Sequence, residues 1–193
     1  MIHPMRTYMK LAFLGLTLQG GMLLAQTPAA PKMPVDEISK LITYTEVVDE
    51  PGMNKDTLYN RGLRWFKSYF KNPNKAIKLA DAEGRTIDGG YTFTIQRPDP
   101  ASKKTPAPMV DAGLVNFKMK LFFKDAKFKY EITNISWQQT SYYPIERWMD
   151  KEAKNYDPNY ALYLQQTDQY MKTLIKSLET FIETDPLKKK DDW

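Results

Sequence analysis

Alternation of apolar and polar residues in two neighbouring stretches is the feature that most constrains the fold of this chain. Residues 117–124 and 127–137 carry this alternation and are separated only by Asp125-Ala126. Successive side chains of a strand point to opposite faces of a sheet, and a two-residue connection joins antiparallel strands. We therefore predict a β-hairpin with Asp125-Ala126 at its tip.

The register of this hairpin can be tested by the chemistry of the residues that it pairs. With Phe123 opposite Phe128, Leu121 is opposite Tyr130 and Met119 is opposite Ile132, and all three of these pairs are apolar on both sides. A sheet with one dry face packed on a core shows this pattern. The residues predicted to face the core are Met119, Leu121, Phe123, Phe128, Tyr130 and Ile132.

The opposite face of the hairpin is basic and has two interpretations. Its candidate ligand-binding residues are Lys118, Lys120, Phe122 and Lys129, with Trp137 on the same strand parity. Alternation alone explains these lysines as the solvated side of a sheet, in which Lys120 pairs with Glu131. The aromatic side chains leave open a surface for an anionic partner.

Further strands flank the hairpin. Residues 41–48 are rich in β-branched side chains and end at a Pro-Gly turn, which predicts a strand. Residues 76–79 and 85–96 give two more strands, and Gly89-Gly90 predicts a bulge or a sharp bend in the second.

Two stretches have helical periodicity. Asn54 is a good N-cap, and an apolar stripe continues from it to about residue 72. The last helix has Asp157 as cap and Pro158 in its first turn, and it ends at Asp185-Pro186. The order strand, helix, four strands, helix predicts an α+β fold, with an antiparallel sheet and both helices packed on one face.

The N-terminal residues read as a secretory signal. Arg6 and Lys10 precede an apolar run, and small residues follow up to Ala25, which is the order of a signal peptide. The predicted organisation is a signal peptide at 1–25, a Pro-rich linker at 26–34, one domain at 35–185 with a Pro-rich loop insertion at 97–112, and a charged tail at 186–193.

Removal of the predicted signal peptide would leave a mature chain that lacks the side chains for several kinds of metal and catalytic site. The chain has no cysteine, and its one histidine, His3, lies in the predicted signal peptide. Zinc sites built from His and Cys, Ser-His catalysis and disulfides are therefore excluded from the mature chain. Loss of Arg6 and Lys10 lowers the net charge from +5 to +3. We assign no catalytic residue, no metal and no cofactor.

An opening motif resembles a known family. The motif consists of the run from Ile42 to Val48, then Pro51-Gly52, Lys55-Asp56, Leu58-Tyr-Asn-Arg61 and Trp65-Phe66. It is similar to the start of an uncharacterised family of secreted proteins from Gram-negative bacteria. That family is described as a domain of unknown function with a TBP-like fold. The resemblance covers residues 35–139 and implies the fold and an exported location, with no catalytic residues to transfer.

These observations predict an exported, non-enzymatic binding or interaction module of the cell envelope, whose partner is an envelope protein or an anionic glycan. Nucleic acid is not expected, because the charge is modest and the chain is exported. The alternatives are a purely structural envelope component and a glycan hydrolase that uses two carboxylates. The acidic residues considered for such a pair are Asp36, Glu37, Glu46, Asp49, Glu50, Asp81, Glu83, Asp88 and Asp99.

Four aromatic residues cluster in sequence after the last predicted strand. They are Trp137, Tyr142, Tyr143 and Trp148, around Pro144. Such a cluster either seals the core where the chain crosses the sheet edge or stacks against a ligand.

The export prediction can be checked directly. N-terminal sequencing of the protein secreted from its host should find a chain that begins near Gln26, because cleavage is expected after Ala25. Recovery of the intact Met1 terminus would contradict export.

Overall fold

The computed structural model of the protein describes residues 30–184, which form a six-stranded antiparallel sheet with helices packed on it. The strand order is β1-β5-β4-β3-β2, and β6 pairs with β5. The strands are β1 Tyr44–Asp49, β2 Ile77–Asp81, β3 Thr86–Pro98, β4 Met109–Lys124, β5 Lys127–Trp137 and β6 Tyr143–Pro144. The helices are α1 Lys55–Tyr69, α2 Pro73–Ala76 and α3 Asn159–Thr184, with a 3-10 turn at Ile145–Met149. The predicted α+β fold is confirmed, with α2, β6 and the 3-10 turn as additions.

The helix α1 begins as its sequence predicts. The Asn54 side chain accepts a hydrogen bond of 2.8 Å from the backbone N–H of Thr57, and Asp56 places a negative charge in the first turn. Its packing on the sheet depends on a small residue. A Cβ at Gly62 would lie 2.4 Å from Cζ of Phe123, so only glycine allows the helix to approach this ring.

The helix α3 lies on the same face of the sheet as α1. Its start is fixed by Asp157, whose carboxylate accepts from the N–H of Asn159 at 2.8 Å. Tyr170 of α3 stacks on Phe93 of β3 with 4.0 Å between ring centroids. At the other end, the guanidinium of Arg61 donates to the last carbonyls of α3, at Ile182 and Glu183, where a cation suits the helix dipole.

The predicted hairpin and its register are confirmed. Phe123 is opposite Phe128, Leu121 is opposite Tyr130 and Lys120 is opposite Glu131. All six residues predicted to face the core are buried, with at most 4% of each side chain exposed. The turn places Ala126 at a φ of 61°. Its carbonyl accepts from the Glu50 N–H, which ties the hairpin tip to the start of the α1 connection.

A bulge breaks the predicted register at the far end of the hairpin. Lys118 pairs with Thr133, but Asn116 pairs with Ser136, so β5 holds one extra residue. Asn134 lies in this bulge with a φ of 51°, a conformation that Asn tolerates better than most residues. The extra residue reverses the faces beyond it, and the placement of Trp137 on the open face is therefore wrong.

Two boundaries and one predicted bulge differ from the sequence prediction. The predicted linker ends inside the fold, since Met33 is buried and the Pro34 carbonyl accepts from the Thr43 N–H. The Pro-rich loop spans fewer residues than 97–112, because β3 continues to Pro98 and pairs there with Met109. Gly89-Gly90 makes no bulge in β3, whose pairing with β4 is regular across both glycines. Residues 185–193 of the predicted domain end and tail, and the predicted signal peptide, lie outside the described residues.

The two faces of the hairpin predict opposite responses to mutation. Phe123→Ala should lower the free energy of unfolding by about 3–5 kcal/mol, because it leaves a cavity between α1 and the sheet. Lys118→Ala and Lys129→Ala should change it by less than about 0.5 kcal/mol, as at other solvent-facing sites. Urea unfolding of the three variants measures both. Destabilisation by the lysine variants together with a neutral Phe123→Ala would show that the register is wrong.

Candidate functional site

The sheet face opposite the helices is open along its whole length in the described part of the chain. Four of the five residues predicted as a ligand-binding set lie there together: Lys118, Lys120, Phe122 and Lys129. They occupy adjacent positions of β4 and β5, in the predicted alternation. The open face is therefore the first candidate for a site.

The Phe122 ring is held between two of these lysines. The ammonium of Lys120 lies 5.2 Å from the ring centroid and that of Lys129 lies 5.8 Å from it. Each lysine also has an acidic partner: Lys129 is 2.5 Å from Glu131 and Lys120 is 3.4 Å from Asp88. These two lysines thus have part of their charge compensated before any ligand binds.

Lys118 lines a broad depression of about 1190 Å³ on the open face, which Lys120, Asp88 and Glu131 also line. Lys71, Lys75 and Lys78 line the same depression. Among residues 30–184, no carboxylate lies within 4.0 Å of the ammonium group of Lys118 or of these three lysines. We call this depression, lined by Lys71, Lys75, Lys78 and Lys118, the lysine groove.

The sequence analysis missed three of the four groove lysines, because they come from a different part of the chain. Lys71 follows α1, Lys75 lies in the one-turn helix α2, and Lys78 lies in the edge strand β2. The only local signal is their spacing on either side of Pro73. Their position beside Lys118 depends on how α2 meets the sheet.

That contact requires a strand residue without a side chain. A Cβ at Gly89 would lie 2.7 Å from the Ala76 carbonyl oxygen and 2.6 Å from the Phe66 ring. Glycine therefore lets the end of α2 rest directly on β3. Gly90 also lines the groove, and a Cβ there would lie 2.4 Å from the Phe117 carbonyl oxygen.

The rest of the groove lining is polar and suited to hydrogen bonding. Its uncharged polar side chains are Asn72, Thr92, Asn116 and Thr133, and its only acids are Asp88 and Glu131. Amide and hydroxyl groups both donate and accept, so they fit a ligand rich in hydroxyl groups. The side chains present can bind and orient an anionic, hydrogen-bonding molecule.

A smaller apolar patch adjoins the Phe122 side of the open face. It encloses about 310 Å³ and is lined by Val47, Phe122, Lys124, Lys127, Phe128 and Lys129. Val47 of β1 leaves 53% of its surface exposed. Lysine stems pack along such surfaces while their ammonium groups stay in water.

Trp137, the fifth predicted residue, lies on the helix side of the sheet instead. Its ring centroid is 5.8 Å from that of Trp148 and 5.7 Å from that of Tyr143. A Cβ at Gly113 would lie 2.6 Å from its indole Nε1. Trp137, Tyr143 and Trp148 thus seal the core, whereas Tyr142 is 62% exposed.

The acidic residues considered for catalysis do not converge. Asp88 lines the groove, whereas Glu46 accepts a hydrogen bond of 3.0 Å from the Tyr130 hydroxyl on the helix side. Asp81 accepts from the N–H groups of Glu83 and Gly84 and so stabilises a turn. Within residues 30–184 there is no group of three or more acidic or histidine side chains that could hold a metal ion.

None of the described helices is long and apolar enough to cross a membrane.

Comparison with known proteins places this fold in a family. Residues 44–138 match the model of a domain of unknown function (DUF4468) with TBP-like fold. No curated protein matches the chain.

Two crystal structures share the fold. A TBP-like protein from Parabacteroides distasonis ATCC 8503, at 1.90 Å resolution, aligns with a TM-score of 0.56 and 12% identity over 75% of this chain and 94% of that chain. A DUF4468 family protein from Bacteroides ovatus ATCC 8483, at 1.49 Å resolution, aligns with a TM-score of 0.59 and 18% identity over 79% of this chain and 94% of that chain. At these identities the likeness shows the fold alone. The predicted family resemblance and the TBP-like fold are confirmed.

Proposed function

We propose, for a chain whose residues 44–138 belong to the DUF4468 family with its TBP-like fold, that the protein is an exported, non-enzymatic binding module of the bacterial cell envelope. Its ligand is an anionic glycan, which binds in the lysine groove. The observation that carries this proposal is the convergence, on one polar depression of the open face, of four lysines that have no acidic partner among residues 30–184.

The charge distribution favours an extended anion over a neutral ligand. Asp88 and Glu131 compensate Lys120 and Lys129, whereas no carboxylate of residues 30–184 pairs with Lys71, Lys75, Lys78 or Lys118. One exposed lysine attracts an anion weakly, but several on one concave surface add their potentials. A polymer with regularly spaced negative groups can contact them together, which raises its affinity without a deep pocket.

The polar lining favours a glycan among anionic polymers. Asn72, Thr92, Asn116 and Thr133 offer side-chain donors and acceptors between the lysines, and sugar hydroxyl groups can satisfy both. Nucleic acid would instead call for exposed aromatic side chains that stack on bases, and the Phe122 ring has Lys120 and Lys129 near its face.

Export and location in the envelope are part of the proposal. The support is the signal-peptide pattern up to Ala25. A glycan ligand is consistent with that location, since the cell surface is where such polymers occur.

A glycan hydrolase is the second candidate, favoured by one observation. Asp88 of β3 and Glu131 of β5 lie on either side of Lys120 in one cross-strand row. Two strand spacings separate them by about 10 Å, close to the range of inverting glycosidases. Binding is the better supported function, because both carboxylates are exposed by about a third and ion-paired with lysines.

The groove lysines can be tested against a matched control. Replacing Lys71, Lys75, Lys78 and Lys118 together with Gln should weaken binding of polygalacturonate by about tenfold or more, because each lost contact adds to the others. The control replaces Lys103, Lys104, Lys151 and Lys154, which are exposed and outside the groove. It makes the same change in net charge and should bind as the natural protein does. Titration calorimetry at two salt concentrations measures both, with neutral dextran as the blank.

Three results would contradict the proposal. Equal loss of binding in the control variant would show that net charge alone attracts the polymer. Tighter binding of single-stranded DNA of equal charge would show that the ligand class is wrong. Release of reducing ends from polygalacturonate by the natural protein, abolished in Asp88→Asn or Glu131→Gln, would establish the hydrolase instead.

A further inference from the structure

We propose that the free edge of β1 binds an extended, lysine-rich segment of a partner protein, which adds to the sheet as a further strand. This surface lies at the opposite edge of the sheet from β2 and its groove lysine Lys78, and it does not depend on glycan binding.

The hydrogen-bonding direction of β1 follows from its connection to the hairpin. The N–H of Glu50 donates to the Ala126 carbonyl, and bonding toward a neighbouring strand alternates along an antiparallel strand. The N–H and C=O groups of Thr45, Val47 and Asp49 therefore point away from β5. Within residues 30–184, no backbone hydrogen bond to these outward groups is found.

The same edge already accepts backbone from this chain. Val35 forms a single antiparallel bridge with Ile42, and the N–H of Thr43 donates to the Pro34 carbonyl at 2.8 Å. This short addition stops before Thr45, and the rest of the strand keeps unpaired groups of the type that strand addition uses.

The two edges of the sheet differ in how they are protected. β2, at the far edge, has a register shift between Ile77 and Leu79 and exposes Lys78. Bulges and lysines are the usual devices that prevent edge-to-edge pairing. β1 has neither: it contains no proline or lysine and keeps one register with β5 from Tyr44 to Asp49.

On the helix side of β1, the charge favours a basic partner. On the open side, Lys129 and Lys127 lie opposite Val47 and Asp49, so the lysines of the partner must face the helices. On the helix side of this edge, Glu46 lies near Glu179 of α3. Burial, and then the Glu46 carboxylate, raise the pKa of Glu179 above its ordinary value, while Lys176 opposes the shift. Closer to the turn, burial and then Glu183 raise the pKa of Glu50, against the effect of Arg61. Lysines on an added strand would compensate these carboxylates, whereas a second copy of β1 would bring its own Glu46 and Asp49.

The probe is a blocked heptapeptide, Thr-Lys-Val-Lys-Val-Lys-Thr, added to the full-length protein. We expect binding that slows amide hydrogen exchange at Thr45, Val47 and Asp49, measured by NMR. Val47→Pro removes an outward N–H without removing a bond to β5, so it should weaken binding by about tenfold. Val47→Thr keeps that N–H and should bind as the natural protein does.

Two further peptides keep the test decisive even if Val47→Pro does not fold. A probe that is N-methylated at alternate residues on its sheet-facing edge should lose binding to the natural protein, and a probe with Glu in place of Lys should bind more weakly. The proposal is wrong if the N-methylated probe binds the natural protein as tightly as the unmodified probe does, or if Val47→Pro binds the unmodified probe as tightly as the natural protein does. It is also wrong if no probe binds, or if the amides of Thr45, Val47 and Asp49 are already protected in the free protein.

Discussion

The fit of the hairpin's apolar face against α1 and α3 is the constraint on which the rest of the structure depends. Phe123 lies over Gly62 of α1, with Tyr59 edge-on at 5.9 Å between ring centroids. Successive side chains of a strand point to opposite faces of the sheet. Because the apolar residues of the hairpin are buried against the helices, the residues that alternate with them must face solvent. The basic face is thus a geometric consequence of core packing, and a ligand can only use what that geometry presents.

The sequence was sufficient to predict the elements whose determinants are local. The hairpin register followed from residue pairing around Asp125-Ala126, and the start of α1 followed from Asn54. Trp137 was misplaced because one extra residue at Asn134 reverses the strand faces. The sequence carried a signal for it, since the spacing of the apolar residues changes from two to three between Ile132 and Ile135, and the prediction did not use that change. The sequence did not predict Lys71, Lys75 and Lys78 as part of the site. They lie beside Lys118 because of a long-range contact at Gly89, which local patterns do not show.

The sheet therefore presents two distinct surfaces with opposite charge. The lysine groove lies on the open face beside β2, and carboxylates including Glu46 and Glu179 line the helix side of the β1 edge. A broad polar depression suits a flexible polymer, whereas an edge with unpaired backbone groups suits an extended peptide. Separate surfaces of this kind would allow a module to hold a glycan and a protein at the same time. The TBP-like fold itself carries no function.

The most direct test of the central claim is a map of where an anionic oligosaccharide binds. A titration of the isotope-labelled protein with a galacturonate oligomer, followed by NMR, should shift the backbone amides of Gly90, Thr92 and Asn116 first, because they line the floor and walls of the groove. The amide of Thr173, which is on α3 at the opposite face of the sheet, should stay unchanged. Shifts confined to the aromatic region around Tyr142, or no saturable shift anywhere, would contradict the account.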